Sequence, residues 1–391
     1  MNPVPAADTQ DTPGTPDTFA GLYGRPAEGE WAAPGRVNLI GEHTDYNLGY
    51  VLPIAIPQTV RAQAARRDDG LLRLWSAQGR GPVTELRLAD LAPGAVPGWS
   101  AYPAGVVWAL REAGHRIGGA DIRLDSDVPG GAGLSSSAAL ECVVATAYDD
   151  LYGLGLSGTE LALLAQRAEN AFVGVPCGIM DQMASMCCRP GAALFLDSRD
   201  VTMRQVPVDL AAAGLALLVL DTRVKHDLGD GAYAALRAGC ERAAALLGLP
   251  ALRSLDPAGL AGALSELPPE LGPLVRHVVT ENARVEAAVA HLDAGDPAAI
   301  GPILTAGHAS LRDDYRVSCP ETDLAVEAAV AAGAHGARMT GGGFGGSVIA
   351  LVDAAGAEHV AAAVTAAFRA AGYREPRTLT AVPADGARRL A

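Results

Sequence analysis

At 391 residues the chain is longer than one average domain and shorter than three, so two lobes are the natural expectation. Hydrophobic residues make up 49% of it and charged residues 19%, a balance that supports a sizeable core and excludes a disordered chain. The formal charge of -14, from 30 Lys+Arg against 44 Asp+Glu, repels phosphate backbones and anionic lipid and so excludes a nucleic-acid or membrane-surface role. A small anionic ligand can still bind where backbone dipoles and a few basic groups outweigh that field.

The N-terminal stretch MNPVPAADTQDTPGTPDTF has neither a basic nor an apolar region of the kind a secretion signal needs, and 1–18 reads as a flexible tail. Trp31 to Pro57 mixes short apolar stretches with a polar turn holding Glu42, His43, Asp45 and Asn47, which predicts strands joined by that turn. Strands are expected over Val60–Ala65, Leu71–Trp75 and Val83–Leu88, then a helix over Ala101–Ala113. Ala120–Asp125 alternates like a strand, Pro129–Leu134 is Gly-rich, and Ser135–Leu151 reads as a helix without internal Gly or Pro. A further helix over Leu161–Ala171 carries Glu169, and the Gly and Pro of Val173–Ala184 interrupt it, with Asp181 just after that interruption. After a lobe boundary near Asp200–Asp209 come the strand LALLVLD ending at Asp221, a helix from Tyr233 to Leu247, and Ala-rich helices. The glycines of 341–346 then precede the strand SVIALVD, a helix and the strand RTLTAV. The longest aliphatic run, Leu215 to Leu220, is far short of the roughly 20 residues of a membrane-spanning helix. The six cysteines form no CxxC pair and no dense framework, so free thiols in a reducing cytosol are expected, without zinc.

Four features carry chemistry. In PGGAGLSSSAAL (Pro129–Leu140) the glycines let backbone N–H groups approach an anion, the helix after them adds the positive end of its dipole, and Ser135, Ser136 and Ser137 can cap it, bond phosphate or reach a cation. Alone, the segment also fits a simple cap after a tight turn, and it lacks the Lys of a Walker A loop. GGGFGG (Gly341–Gly346) satisfies GxGxxG but runs into a strand rather than opening a helix, so a dinucleotide site is rejected in favour of a loop passing close to a ligand or to the other lobe. In GRVNLIGEHTDYNLGYVLP (Gly35–Pro53), Arg36, Glu42, His43 and Asp45 fall within ten residues, a density that suits sugar hydroxyls as well as a solvated turn. Asp181, between Met180 and Gln182 in apolar surroundings, needs a partner, for which Arg36 is the candidate, and reads as a cap, an ion pair or a base for a substrate hydroxyl.

Together, GRVNLIGEHTDYNLGYVLP, PGGAGLSSSAALE and TGGGFGGSVIAL resemble the three ordered motifs of the GHMP kinases, and the first resembles the galactokinase signature. AENAFVGVPCGIMDQMAS resembles the segment that carries that family's catalytic aspartate, and the likeness runs from about Phe19 onward. The resemblance implies an α+β, two-lobed fold: a mixed α/β N-terminal lobe over 19–205 and a C-terminal lobe over 206–391 with a ferredoxin-like βαβ element. It implies transfer of a phosphoryl group from ATP, with Mg²⁺, to the anomeric hydroxyl of galactose. A kinase for N-acetylgalactosamine or arabinose, or a silent galactose- and ATP-binding regulator, is the alternative. Asp181 and Arg36 would be catalytic, and Glu42, His43, Asp45, Gly178 and Tyr233 would bind the sugar. Gly130, Gly131, Ala132, Gly133, Leu134, Ser135, Ser136 and Ser137 would cradle the phosphates, with Trp99 beside the adenine and Ser136 or Ser137 with Glu169 on Mg²⁺. One departure, Ala139 where these kinases often carry Ser, lies outside those ligands. A cytoplasmic monomer, with a weak dimer as the alternative, completes the expectation.

Overall fold

The computed structural model describes residues 17–224 and 231–391. Most of the tail read over 1–18 therefore lies outside the described residues; Thr18 caps a short helix, α1 (Phe19–Tyr23). The strands of the first half are β1 (Gly29–Asn38), β2 (Tyr50–Val51), β3 (Pro53–Arg67), β4 (Leu71–Ser76), β5 (Thr84–Arg87), β6 (Gly119–Ser126), β7 (Ala192–Asp197) and β8 (Thr202–Pro207). Those of the second half are β9 (Leu215–Asp221), β10 (Gly336–Thr340), β11 (Ser347–Asp353), β12 (Arg377–Ala381) and β13 (Arg388–Arg389).

Three sheets result, ordered β13-β1-β3-β6-β4-β5, β2-β7-β8 and β10-β11-β9-β12. Behind the first pack α2 (Ala101–Glu112), α3 (Ser136–Tyr152), α4 (Gly158–Arg167) and α5 (Met180–Cys187). Local sequence fixes where such a helix starts; α4, for example, opens on a capping box in which Ser157 and Glu160 satisfy each other's backbone N–H. The second half adds α6 (Ala232–Leu246), α7 (Leu260–Glu266), α8 (Gly272–Asp293), α9 (Ile300–Ser310), α10 (Pro320–Ala331) and α11 (Ala357–Ala370). Strands β11 and β12 both pair antiparallel with β9, so they run parallel to each other on either side of it, with α11 crossing between them. That is the expected ferredoxin-like split βαβ, its earlier crossover expanded into the helices from α6 to α10.

Strand β9 shows how the halves join. Its Leu217 and Val219 face a core shared with the first sheet, while Leu218 and Leu220 face a second core under α8, α10 and α11. Burial on both faces explains why LALLVLD and SVIALVD read as continuous apolar runs rather than alternating ones. The helix expected over Leu161–Ala171 begins at Gly158 and widens into a π-helical turn over Ala168–Val173, which the apolar pattern did not signal.

Candidate active site

A cavity of about 270 Å³ opens where the first sheet, the α3 and α5 N-termini and the β10–β11 loop meet. Arg36 reaches it from a bulge in β1, where the register with β3 shifts between Pro34 and Arg36. A bulge re-aims a side chain out of the strand's ordinary alternation. A Cβ on the preceding Gly35 would come within 2.7 Å of the Leu134 carbonyl oxygen, so glycine is what lets the Gly-rich loop lie against the strand. The Arg36 backbone N–H donates to that same oxygen at 3.1 Å. The buried guanidinium forks onto Asp181, Nε to Oδ1 at 2.8 Å and Nη2 to Oδ2 at 2.9 Å, and gives its Nη1 proton to the Gly133 carbonyl at 2.6 Å. Ser135 donates a second hydrogen bond to Asp181 Oδ2. An ionised carboxylate offers about four acceptor sites. These three bonds leave one of them, on Oδ1, for a ligand.

The polar turn supplies the second wall. Asp45 opens a single 3₁₀ turn; its Oδ1 accepts from the Tyr46 N–H at 2.9 Å and its Oδ2 from the Met180 N–H at 3.1 Å. Burial pushes this carboxyl up to about 6 against the pull of the Met180 N–H. Glu42, also held above the usual carboxylate range by burial, is anchored by Asn38, by the Thr340 hydroxyl at 3.0 Å and by the Gly341 N–H at 2.6 Å. His43, with φ at 61°, places Nδ1 2.9 Å from the Tyr46 hydroxyl, and the Tyr233 ring of α6 lies 5.5 Å from the imidazole. Gly178 faces Asp45 so closely that a Cβ would sit 1.8 Å from its Oδ2.

The third wall is the Gly-rich loop and the start of α3. Ser135 adopts a left-handed conformation that turns the chain into the helix, and Gly131, Gly133, Leu134, Ser135, Ser136 and Ser137 all line the cavity. The first N–H groups of a 17-residue helix have no partner within it and carry its positive end, which suits an anion. The Gly341–Gly346 loop closes over this one: Ser347 donates to the Ala132 carbonyl at 2.7 Å, and Gly341 and Gly342 line the cavity.

Between these walls lies a buried acidic group. The π-helical turn brings Glu169 to the cavity; burial, with Asp181 adding to it, raises this carboxyl to about 7. The Gln182 amide donates to Glu169 at 2.7 Å and to fully buried Glu141 at 3.0 Å, and Ser137 hydrogen-bonds to Glu169 as well. Adjacent carboxylates out of water raise one another's affinity for a proton or a cation.

Arg36, Glu42, His43, Asp45, Gly178, Asp181 and Tyr233 thus meet in one cavity together with Ser135, Ser136, Ser137 and Glu169. Gly130 is exposed, Ala132 is buried with its carbonyl turned to Ser347, and Trp99 is partly exposed beside Gly79; these three lie outside the lining. Tyr102 and Cys177 line the cavity and carried no signal as separate residues. Tyr315 sits under His43, 4.8 Å between ring centroids, and bonds the Tyr46 hydroxyl at 2.7 Å. It lies in a second π-helical turn, Leu311–Tyr315, and no periodicity marks it in the sequence.

Known proteins resemble this chain in sequence and fold. Residues 17–66 match the galactokinase galactose-binding signature, 101–189 the GHMP kinases N terminal domain, and 286–370 the GHMP kinases C terminal family. The chain is 62% identical to a galactokinase of Streptomyces coelicolor over 96% of its own length and 97% of that protein's. It is 47% identical to a galactokinase of Mycobacterium tuberculosis over 91% and 98%. A crystal structure of Lactococcus lactis galactokinase complexed with galactose superposes with a TM-score of 0.91 at 34% identity, covering 95% of this chain and 98% of that one. A mevalonate kinase of Methanococcus jannaschii, at 17% identity and a TM-score of 0.65, shares the fold. With three motif models in order and relatives of this identity along nearly its whole length, the chain belongs to the galactokinase family of GHMP kinases.

Proposed function

We infer that the chain transfers the γ-phosphoryl group of ATP to the anomeric hydroxyl of galactose, giving α-D-galactose 1-phosphate and ADP. The observation that carries this reading is the position of Asp181. It is fixed by Arg36 and Ser135 between a pocket of paired carboxylates, imidazole and phenol and a helix N-terminus suited to phosphate. Glu42, His43, Asp45 and Tyr233 would hold the sugar hydroxyls, with the remaining acceptor site of Asp181 Oδ1 taking the proton of the anomeric hydroxyl. An aspartate held in place by three hydrogen bonds is rigidly aimed, so much of its work is orientation of that hydroxyl for in-line attack. Arg36 would offset charge on the transferring group, and the N–H groups of the Gly131–Ser137 segment would cradle the phosphates.

The donor set fits a divalent cation. Glu141, Glu169 and Asp181 bring three carboxyl groups close together, the first two held up by burial and so poised to take a proton or a cation, and Ser137 stands against Glu169. Among the described residues no group of three or more His, Cys, Asp or Glu forms a ready cation site. That is compatible with Mg²⁺, which nucleotide sites hold through one or two side chains plus phosphate oxygens. Glu169 and Ser137 are the proposed protein ligands, and when bound the ion would neutralise charge on the β- and γ-phosphate oxygens. Replacing Ser137 with Ala should raise the Mg²⁺ concentration needed for half-maximal rate and weaken ATP binding in calorimetry by about tenfold. Unchanged values would move the role to Ser136.

Asp45 confers a pH dependence. With its carboxyl raised to about 6, it is ionised and an acceptor at neutral pH and takes a proton as the pH falls through that value. kcat/KM for galactose should therefore decline on the acid side of pH 6, by up to about tenfold per unit, while a profile flat to pH 5 would remove the Asp45 carboxylate from sugar binding.

The reading includes a cytosolic location and a monomer, the first in keeping with the free thiols of Cys142, Cys177, Cys187, Cys188, Cys240 and Cys319. No helix among the described residues is long and apolar enough to cross a membrane. Light scattering on the eluting protein tests the monomer. The activity is tested by ADP release from Mg²⁺-ATP with galactose, glucose, N-acetylgalactosamine and arabinose, the phosphorylated position being read by phosphorus NMR. Galactose well above the rest, phosphorylated at its anomeric oxygen, is expected. Preference for another sugar would move the substrate, and binding of both ligands without turnover would make the chain a regulator.

A further inference from the structure

We propose that helix α8 of the second half is the template for the sugar-binding turn, with His277 and Glu281 as positioning residues for Glu42. It rests on the galactose reading above only for what the turn binds. One face of α8 presents three buried polar side chains to the backbone of 41–50. His277 Nε2 lies 3.1 Å from the Glu42 carbonyl oxygen. Glu281 Oε1 accepts the N–H of Gly41 at 2.9 Å and of Glu42 at 3.3 Å, and Asn282 Oδ1 accepts the N–H of Tyr50 at 2.8 Å.

The directions of these bonds are fixed by chemistry. A carbonyl only accepts, so His277 carries a proton on Nε2. Burial holds the imidazole down at about 4 and hence neutral, leaving Nδ1 to accept from the Ser310 hydroxyl at 2.9 Å. Glu281 can stay ionised out of water because two arginines compensate it, Arg284 at 2.7 Å and Arg338 at 3.2 Å. Arg338 also donates to the Leu39 carbonyl at 2.9 Å, so the same ion group grips the chain just before the turn. Glu42 consequently has its N–H, its carbonyl and both carboxylate oxygens fixed, and every one of those partners except Asn38 comes from the second half. An apolar helix face could pack against such a turn; only directional partners dictate which way its backbone, and hence its carboxylate, points.

The test uses His277→Leu and His277→Gln in the full chain, the second retaining an N–H donor. His277→Leu should raise KM for galactose about tenfold, with kcat and KM for ATP little changed, and His277→Gln should recover most of the loss. Hydrogen exchange of the 41–50 amides, measured without substrate, should accelerate in His277→Leu while that of β11 does not. Asn282→Ala, which leaves the ion group intact, should accelerate exchange at Tyr50 and guards against failure of the first variant to fold. Lower thermal stability with unchanged galactose KM and unchanged exchange at 41–50 would reduce these residues to packing and overturn the proposal. A wild-type enzyme inactive on galactose would count against the substrate reading alone, since the exchange measurement decides the inference without any sugar.

Discussion

Asp181→Ala is expected to lower kcat by about 10³-fold while the protein stays folded and binds ATP with little change. The substitution removes the one group that both faces the substrate side and organises its neighbours: Arg36 loses two hydrogen bonds and Ser135 loses one. Arg36 keeps its bond to the Gly133 carbonyl, so the guanidinium remains against the Gly-rich loop and nucleotide affinity should persist. Single-turnover rates, read alongside calorimetric titration of ATP, separate the two effects. A rate within tenfold of wild type would mean that Asp181 is only the counter-ion of Arg36.

Gly178→Ala should cost about 100-fold in kcat/KM for galactose, with ATP affinity retained. The φ of Gly178 is not left-handed, so an alanine is compatible with the backbone; space alone forbids it. Its Cβ would stand 1.8 Å from Asp45 Oδ2 and 2.1 Å from Cγ, and the carboxylate would have to leave the Met180 N–H. Steady-state kinetics with varied galactose measure the loss. Near-normal kcat/KM would show that Asp45 can move without consequence, and that its carboxylate does not contact the sugar.

The elements nearest these residues were the ones most legible from sequence. Local signals mark both sides of the Gly-rich loop, and the structure places α3 over Ser136–Tyr152 where a helix over Ser135–Leu151 was expected. Arg36 was the candidate partner of Asp181 because a carboxylate in apolar surroundings requires one, and the two meet in a fork. What could not be read depends on distant pairing. Strand β10 is short, and its Arg338 looks unlike a core residue until Glu281 is placed beside it. His277 and Glu281 lie in a helical pattern where polar residues ordinarily face water, and the backbone that buries them is more than 230 positions away. Trp99, expected beside the adenine, lies outside the cavity, while Tyr102, three residues on, lines it without having been singled out.

The two π-helical turns bear on how sequences of this kind should be aligned. Each is the last turn of its helix, and each closes with a backbone N–H five positions on, that of left-handed Gly174 or Arg316, returning to the carbonyl of Glu169 or of Leu311. Deleting one residue from Ala168–Val173 would remove that wider closing turn and rotate the chain that leaves the helix by about 100°. Gly178 and Asp181, which follow the turn, would then be redirected although the residues themselves are intact. Single-residue gaps at these two places therefore change the site as much as a substitution within it, even when every motif residue is conserved by name.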